Sequence, residues 1–154
     1  MDVLNNQTTF SVSGSWECKW QGDWLSQDPD PVTRDELQAL IDAEDLTELE
    51  SRFDGRLQFG TAGLRAAIGA GPMGMNRAVV QLAAAGVAAH VLAVAGDEPA
   101  PKAVIGFDAR HRSAVFARDT AEIMAGAGFH VLLADSPIPT PVTAFGIGHY
   151  GAVA

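Results

Sequence analysis

The run Gly60-Thr61-Ala62-Gly63-Leu64-Arg65 has the residue types of an anion grip. Gly60 and Gly63 let backbone N–H groups approach a bound anion, Thr61 adds a hydroxyl donor, and the Arg65 guanidinium is a planar fork that matches phosphate. The same residues also suit a tight hairpin carrying a surface arginine, and residue types alone leave the two readings level. Asp108-Ala109-Arg110-His111-Arg112 directly follows an apolar run. Arg110, His111 and Arg112 suit a phosphorylated substrate, with Asp108 as orienter. The alternative is a helix-entry loop with its charges in water. Ser136, beside a proline-rich turn, has no His or Lys base next to it in sequence, so it lacks what activates a serine nucleophile. His90, His130 and His149 are isolated, and no His/Cys/Asp/Glu spacing resembles a metal site.

Gly69-Ala70-Gly71-Pro72-Met73-Gly74 matches the dinucleotide fingerprint G-x-G-x-x-G, after an expected strand and before an expected helix. The fingerprint also needs an acidic residue at the end of the next strand to hold a ribose. Asp97 is at about the right distance but falls in the Gly96–Pro101 loop, ahead of that strand. A second match, Gly146 to Gly151, ends an expected helix with none after it. In a chain with 16 glycines the pattern is cheap, and it carries little weight.

The elements that must position these groups alternate regularly. Asp28-Pro29-Asp30-Pro31 is an extended breaker. Thr33 to Glu36 reads as a capping box opening a helix to about Ala43, and Asp45 with Glu48 starts a short helix ending near Phe53. Strands are expected around Leu57–Phe59 and Leu64–Ile68. Asn76 can cap a long Ala/Val helix that Gly96 closes. Ala103–Phe107 and Phe129–Ala134 read as buried strands, with a helix from Ser113 between them. Pro141 suits the first turn of a last helix reaching about Tyr150. Gly151–Ala154 has the composition of another strand. The expected fold is a three-layer α/β/α domain over residues 24–154, with a mainly parallel, mixed sheet whose last strand is cut short. Residues 1–23 are expected to form an irregular tail. Trp16, Trp20 and Trp24 fall at i, i+4, i+8, as on one helical face, but Gly14 and Gly22 oppose a helix there.

The 154 residues are 47% hydrophobic and 19% charged, enough for one domain with a real core. Nineteen Asp and Glu against ten Lys and Arg give a formal charge of −9, which disfavours a nucleic-acid partner. The single Cys18 cannot form an internal disulfide, and no signal-peptide pattern is visible, so a cytoplasmic setting is expected. Ala78 to Gly96 carries no formal charge and approaches the length of a bilayer span. Its alanines, Gln81 and His90 fit a helix buried in protein better, so no membrane partner is expected.

Phe59-Gly60-Thr61-Ala62-Gly63-Leu64-Arg65-Ala66, then Met75-Asn76, Phe107-Asp108-Ala109-Arg110, Phe116-Ala117 and Pro139-Thr140-Pro141, resemble in order the N-terminal domain of the phosphohexomutase superfamily. The resemblance extends over roughly Trp24 to Ala154, and the phosphoglucomutase, phosphopentomutase and phosphomannomutase branch is the most similar. It implies a phosphosugar mutase, an isomerase of carbohydrate metabolism. Such an enzyme moves a phosphoryl group between an active-site phosphoserine and a sugar phosphate through a bisphosphate, assisted by Mg²⁺. It also implies phosphate-binding roles for Thr61, Arg65, Arg110 and His111, supported by Gly60 and Gly63. In the family the last strand runs on to a Thr-Ala-Ser-His-Asn-Pro segment. The phosphoserine is therefore expected beyond Ala154, no catalytic or metal-binding residue is expected within the chain, and the chain alone is expected to be inactive. The alternative is a non-catalytic α/β module that binds a phosphate ester or a partner.

Overall fold

The computed structural model describes residues 15–95 and 100–154. The expected closing role of Gly96, the position of Asp97 and residues 1–14 of the expected tail lie outside them. The chain opens with three helices, α1 (Ser15–Gln27), α2 (Pro31–Asp42) and α3 (Leu46–Phe53). A hairpin of β1 (Phe59–Gly60) and β2 (Gly63–Leu64) follows, then the long helix α4 (Arg77–Ala95). The alternating half is β3 (Lys102–Ile105), α5 (Ser113–Gly126), β4 (His130–Leu133) and α6 (Thr140–Tyr150).

Residues 15–23 are helical, which corrects the expected irregular tail over that stretch. Gly22 costs an α-helix about 1 kcal/mol relative to alanine. Burial offsets it: Trp20 and Trp24 set their rings edge-on against Phe53, with centroids 5.6 and 6.2 Å away. Together with Leu37, Leu49, Phe53 and Ala70 they make the first core. Helix α2 starts earlier than its expected capping box. Asp30 is the cap, accepting from the Val32 N–H at 3.0 Å, and Pro31 occupies the first turn. Thr33 instead donates its hydroxyl to Asp28 Oδ2 at 2.7 Å, in a buried position. Helix α3 is capped by Asp45, which accepts from the Glu48 N–H, as its sequence predicts.

The single sheet expected from the sequence is represented among the described residues by two small two-stranded ones. Strands β1 and β2 are antiparallel and shorter than expected, with Ile68 bridging to Met75 instead of extending β2. Strands β3 and β4 are parallel, registered from Lys102–His130 to Ile105–Leu133. The Val153 N–H donates to Lys102 O and the Val104 N–H to Ala154 O, so residues 153–154 lie along the edge of β3 away from β4. Ala88, Ala103, Met124 and Phe129 form the second core, with Ala154 packed on it.

Helix α4 is the long Ala/Val helix, but only one face of it is buried, not the whole. Val80, Ala84 and Ala88, one turn apart, are covered, whereas Leu82 and Val94 are 64% and 74% exposed. By length and composition alone Arg77–Val94 is long and apolar enough to cross a bilayer. Within the fold it packs mainly on α5, where the Arg77 guanidinium meets the buried Asp119 carboxylate through two 2.7 Å hydrogen bonds, and Ala88 reaches the second core.

Candidate functional site

The hairpin turns through Thr61 and Ala62 because Gly63 follows at φ +89°, in the region that side chains avoid. Thr61, Ala62, Gly63 and Arg65 are exposed at its tip. Arg65 Nε donates to Ala62 O at 3.1 Å, which folds the arginine across its own turn while the rest of its fork faces water.

Parallel strands β3 and β4 end on one side, and both following loops lie there. The Ile138 N–H donates to Phe107 O at 2.8 Å and joins them. In the first loop the Asp108 carboxylate accepts from the Arg110 N–H at 3.0 Å and pairs with Arg110 Nε at 3.1 Å. The Arg110 N–H bond first, then the Ser113 hydroxyl, hold the Asp108 carboxyl below its usual value of 3.8. Arg110 and His111 are exposed. Arg112 is not a rim residue: its guanidinium is 14% exposed and paired with Asp30 at the start of α2. This corrects the expectation that Arg112 faces a substrate. Among the described residues no hydrogen bond or ion pair links Thr61 and Arg65 to Arg110 and His111, so the structure presents them on two separate exposed loops.

The glycine-rich stretch Gly69–Gly74 is closed. Asn76, fully buried, donates Nδ2 to Gly69 O at 2.9 Å and Gly71 O at 2.8 Å, with Gly74 O at 3.3 Å. Its Oδ1 accepts from the Val79 N–H at 2.9 Å, the expected cap of α4. The Ala70 N–H donates to Glu36, and the Gly69, Met73 and Gly74 N–H groups donate to backbone carbonyls. These N–H groups are thus unavailable to a pyrophosphate, and a Cβ at Gly71 would press on Arg52 O at 3.0 Å. The glycines serve close packing, not a nucleotide. Ser136 donates to the Asp135 carboxylate at 3.0 Å on the surface, and among the described residues no His or Lys is hydrogen-bonded to it.

A groove of about 770 Å³ runs between α1, the hairpin and α4, lined by Trp20, Trp24, Phe59, Leu64 and Leu82 among others. Thr61, Arg65, Arg110 and His111 are not part of it. Among the described residues no three His, Cys, Asp or Glu side chains converge as a metal site. No residue here is therefore assigned to the metal that the family resemblance implies. Sequence reasoning missed the Asn76 carbonyl cluster and the Asp30–Arg112 pair. Asn76 carried a partial signal in the glycines before it, and the ion pair carried none.

Residues 56–154 match the family profile described as phosphoglucomutase/phosphomannomutase, alpha/beta/alpha domain I. The chain therefore belongs to the phosphoglucomutase/phosphomannomutase family. It is similar to the probable phosphoribomutase of Schizosaccharomyces pombe, 39% identical over 132 residues that cover 86% of this chain and 22% of that protein. The phosphoribomutase of Saccharomyces cerevisiae is 42% identical over 127 residues, covering 80% of this chain and 20% of its own. The probable phosphomannomutase of Haemophilus influenzae is 49% identical over 82 residues, 53% of this chain and 16% of that protein. The chain thus spans about one fifth of the length of the curated relatives it matches. No solved structure gives a significant match.

Proposed function

We propose that this chain supplies part of the phosphate-gripping rim of a phosphosugar mutase, the isomerase of carbohydrate metabolism that its relatives' names describe. The observation that carries the reading is the pair of exposed arginines on the family-matched segment. Arg65 is braced by Ala62 O and Arg110 by Asp108, each with guanidinium N–H groups left for a ligand. Phosphoryl transfer depends mainly on positioning and charge neutralisation. On this reading Arg65 and Thr61 hold one phosphate of a sugar phosphate, and Arg110 and His111 take its other end as the substrate turns over. Gly60 and Gly63 let the backbone come close. The mainly parallel three-layer α/β/α arrangement belongs to this proposal, as do the cytoplasmic setting and Mg²⁺ as the ion of the whole enzyme. This chain's residues bind and orient, and isomerisation by the 154-residue chain alone is not expected.

Calorimetric titration with glucose 1,6-bisphosphate tests the reading. Saturable binding is expected, weakened at least about tenfold by Arg65→Ala and by Arg110→Ala, in line with charge-assisted bonds worth roughly 1.5–3 kcal/mol. Unchanged affinity in both variants, or tighter binding of NAD(H), would refute it.

A further inference from the structure

Arg112 is the residue of the Asp108–Arg112 loop that the proposed function leaves unused, and its geometry is unusual in two ways. Its backbone is left-handed, φ +65°, without being glycine, which costs free energy that something else must offset. Its side chain is withdrawn from solvent and paired with Asp30, itself 5% exposed. Asp30 is fixed from both sides. Its carboxylate accepts from the Val32 N–H as the cap of α2, and its own N–H donates to Asp28 Oδ1 at 2.9 Å. Arg112 is held too, since its carbonyl accepts from Phe116 in the first turn of α5. The ion pair therefore joins the helical half of the fold to the residue that ends the phosphate-facing loop.

We infer that Arg112 is a positioning residue: its pairing with Asp30 holds the left-handed turn that aims Arg110 and His111 outward to meet a phosphate ester. The inference rests on the proposed phosphate site, and names what fixes one side of it. Apart from the Ile138 N–H that donates to Phe107 O just ahead of it, the loop's other hydrogen bonds are local. Asp108 accepts from the Arg110 N–H, the Asp108 N–H donates to Ser113 Oγ at 3.3 Å, and the Ser113 N–H donates to Arg110 O at 3.2 Å. These fix the loop's shape but not its orientation on the rest of the molecule. The buried pair is the side-chain contact that ties the end of the loop to the helical half of the fold, and guanidinium is the group suited to a buried carboxylate. Without it Arg110 samples more directions and loses the preorganisation that phosphate binding needs.

The test uses the 154-residue chain with three substitutions. Arg112→Gly keeps the left-handed backbone at no steric cost and removes the pair. Asp30→Asn keeps an acceptor for Val32 and removes the charge. Arg112→Lys keeps a cation. Glucose 1,6-bisphosphate is the probe, and amide ¹⁵N relaxation at Arg110 and His111 is read without ligand. Arg112→Gly and Asp30→Asn should remain folded, gain fast motion at Arg110 and His111, and bind the probe at least fivefold more weakly. Arg112→Lys should recover most of the affinity. Folded variants with unchanged motion and affinity would overturn the inference. So would loss of the whole fold in both variants, since the pair would then be a folding contact. Failure of the unsubstituted chain to bind the probe would sink the phosphate reading instead. The relaxation data would then decide alone, and unchanged motion in Asp30→Asn would overturn the positioning role.

Discussion

Replacing Asn76 by alanine and, separately, by aspartate isolates what its amide does. The amide donates to three carbonyls of the Gly69–Gly74 loop while Oδ1 caps α4 through the Val79 N–H. Gly71 O has a second donor, the Gly74 N–H at 3.2 Å, so it is not orphaned when the amide goes. Gly69 O has no other donor among the described contacts, and an unpaired buried acceptor costs about 1–3 kcal/mol. Loss of the cap adds about 1 kcal/mol. Asn76→Ala should therefore cost about 3 kcal/mol, and for a domain of this size lower the melting temperature by roughly 6–12 °C. Asn76→Asp discriminates between the roles. As a helix cap aspartate equals asparagine. Against two short carbonyl contacts in a fully buried place, a carboxylate has lost its donor and adds an unpaired charge. The expected order in urea unfolding, followed by the fluorescence of Trp20 and Trp24 against Phe53, is wild type well above alanine, with aspartate no better than alanine. If Asn76→Asp stays within about 0.5 kcal/mol of wild type, capping alone explains the residue and the carbonyl argument is wrong.

Arg77→Met leaves the Asp119 carboxylate, 2% exposed, without its bidentate partner. Removing one half of a buried pair costs about 3–5 kcal/mol, whereas the double replacement Arg77→Met with Asp119→Leu should recover most of it. Denaturant midpoints of the two variants check this. Burial pushes the Asp28 carboxyl above 3.8, opposed by the Thr33 hydroxyl and Arg34, whereas Asp108 lies below 3.8. The signs are opposite. Asp28's contribution is present below 3.8 and lost as the pH rises through its folded value, while that of Asp108 is present above 3.8 and lost as the pH falls through its own. Carboxyl ¹³C titration should find the two midpoints on either side of 3.8, and Asp28→Asn should remove the loss of stability on the rising side.

The parts of the fold readable from sequence are those set by neighbours in the chain. Asp45 and Glu48 start α3, Pro141 falls in the first turn of α6, and the apolar runs flanking α5 become parallel β3 and β4. The Gly63 turn was visible for the same reason, since the backbone there demands glycine. Long-range contacts decided the rest. Phe53 makes a helix of the tryptophan segment despite Gly22, and Asp28 captures Thr33 so that the α2 cap moves to Asp30. The glycines at 69, 71 and 74 fit a nucleotide loop until Asn76 is seen to hold their carbonyls inward. Arg112 looked like its neighbour Arg110, and only the fold brings Asp30 to one and leaves the other at the surface.

The central claim is that Thr61, Arg65, Arg110 and His111 face a phosphate ester. Its most direct test is a residue-resolved ¹H–¹⁵N titration of the chain with ribose 5-phosphate. The account predicts saturable shifts at Thr61, Gly63, Arg65, Arg110 and His111, with the amides of Gly69–Gly74 unmoved. Shifts centred on Gly69–Gly74 or on the Trp20–Trp24 groove, or no saturable shift at any residue, would contradict it.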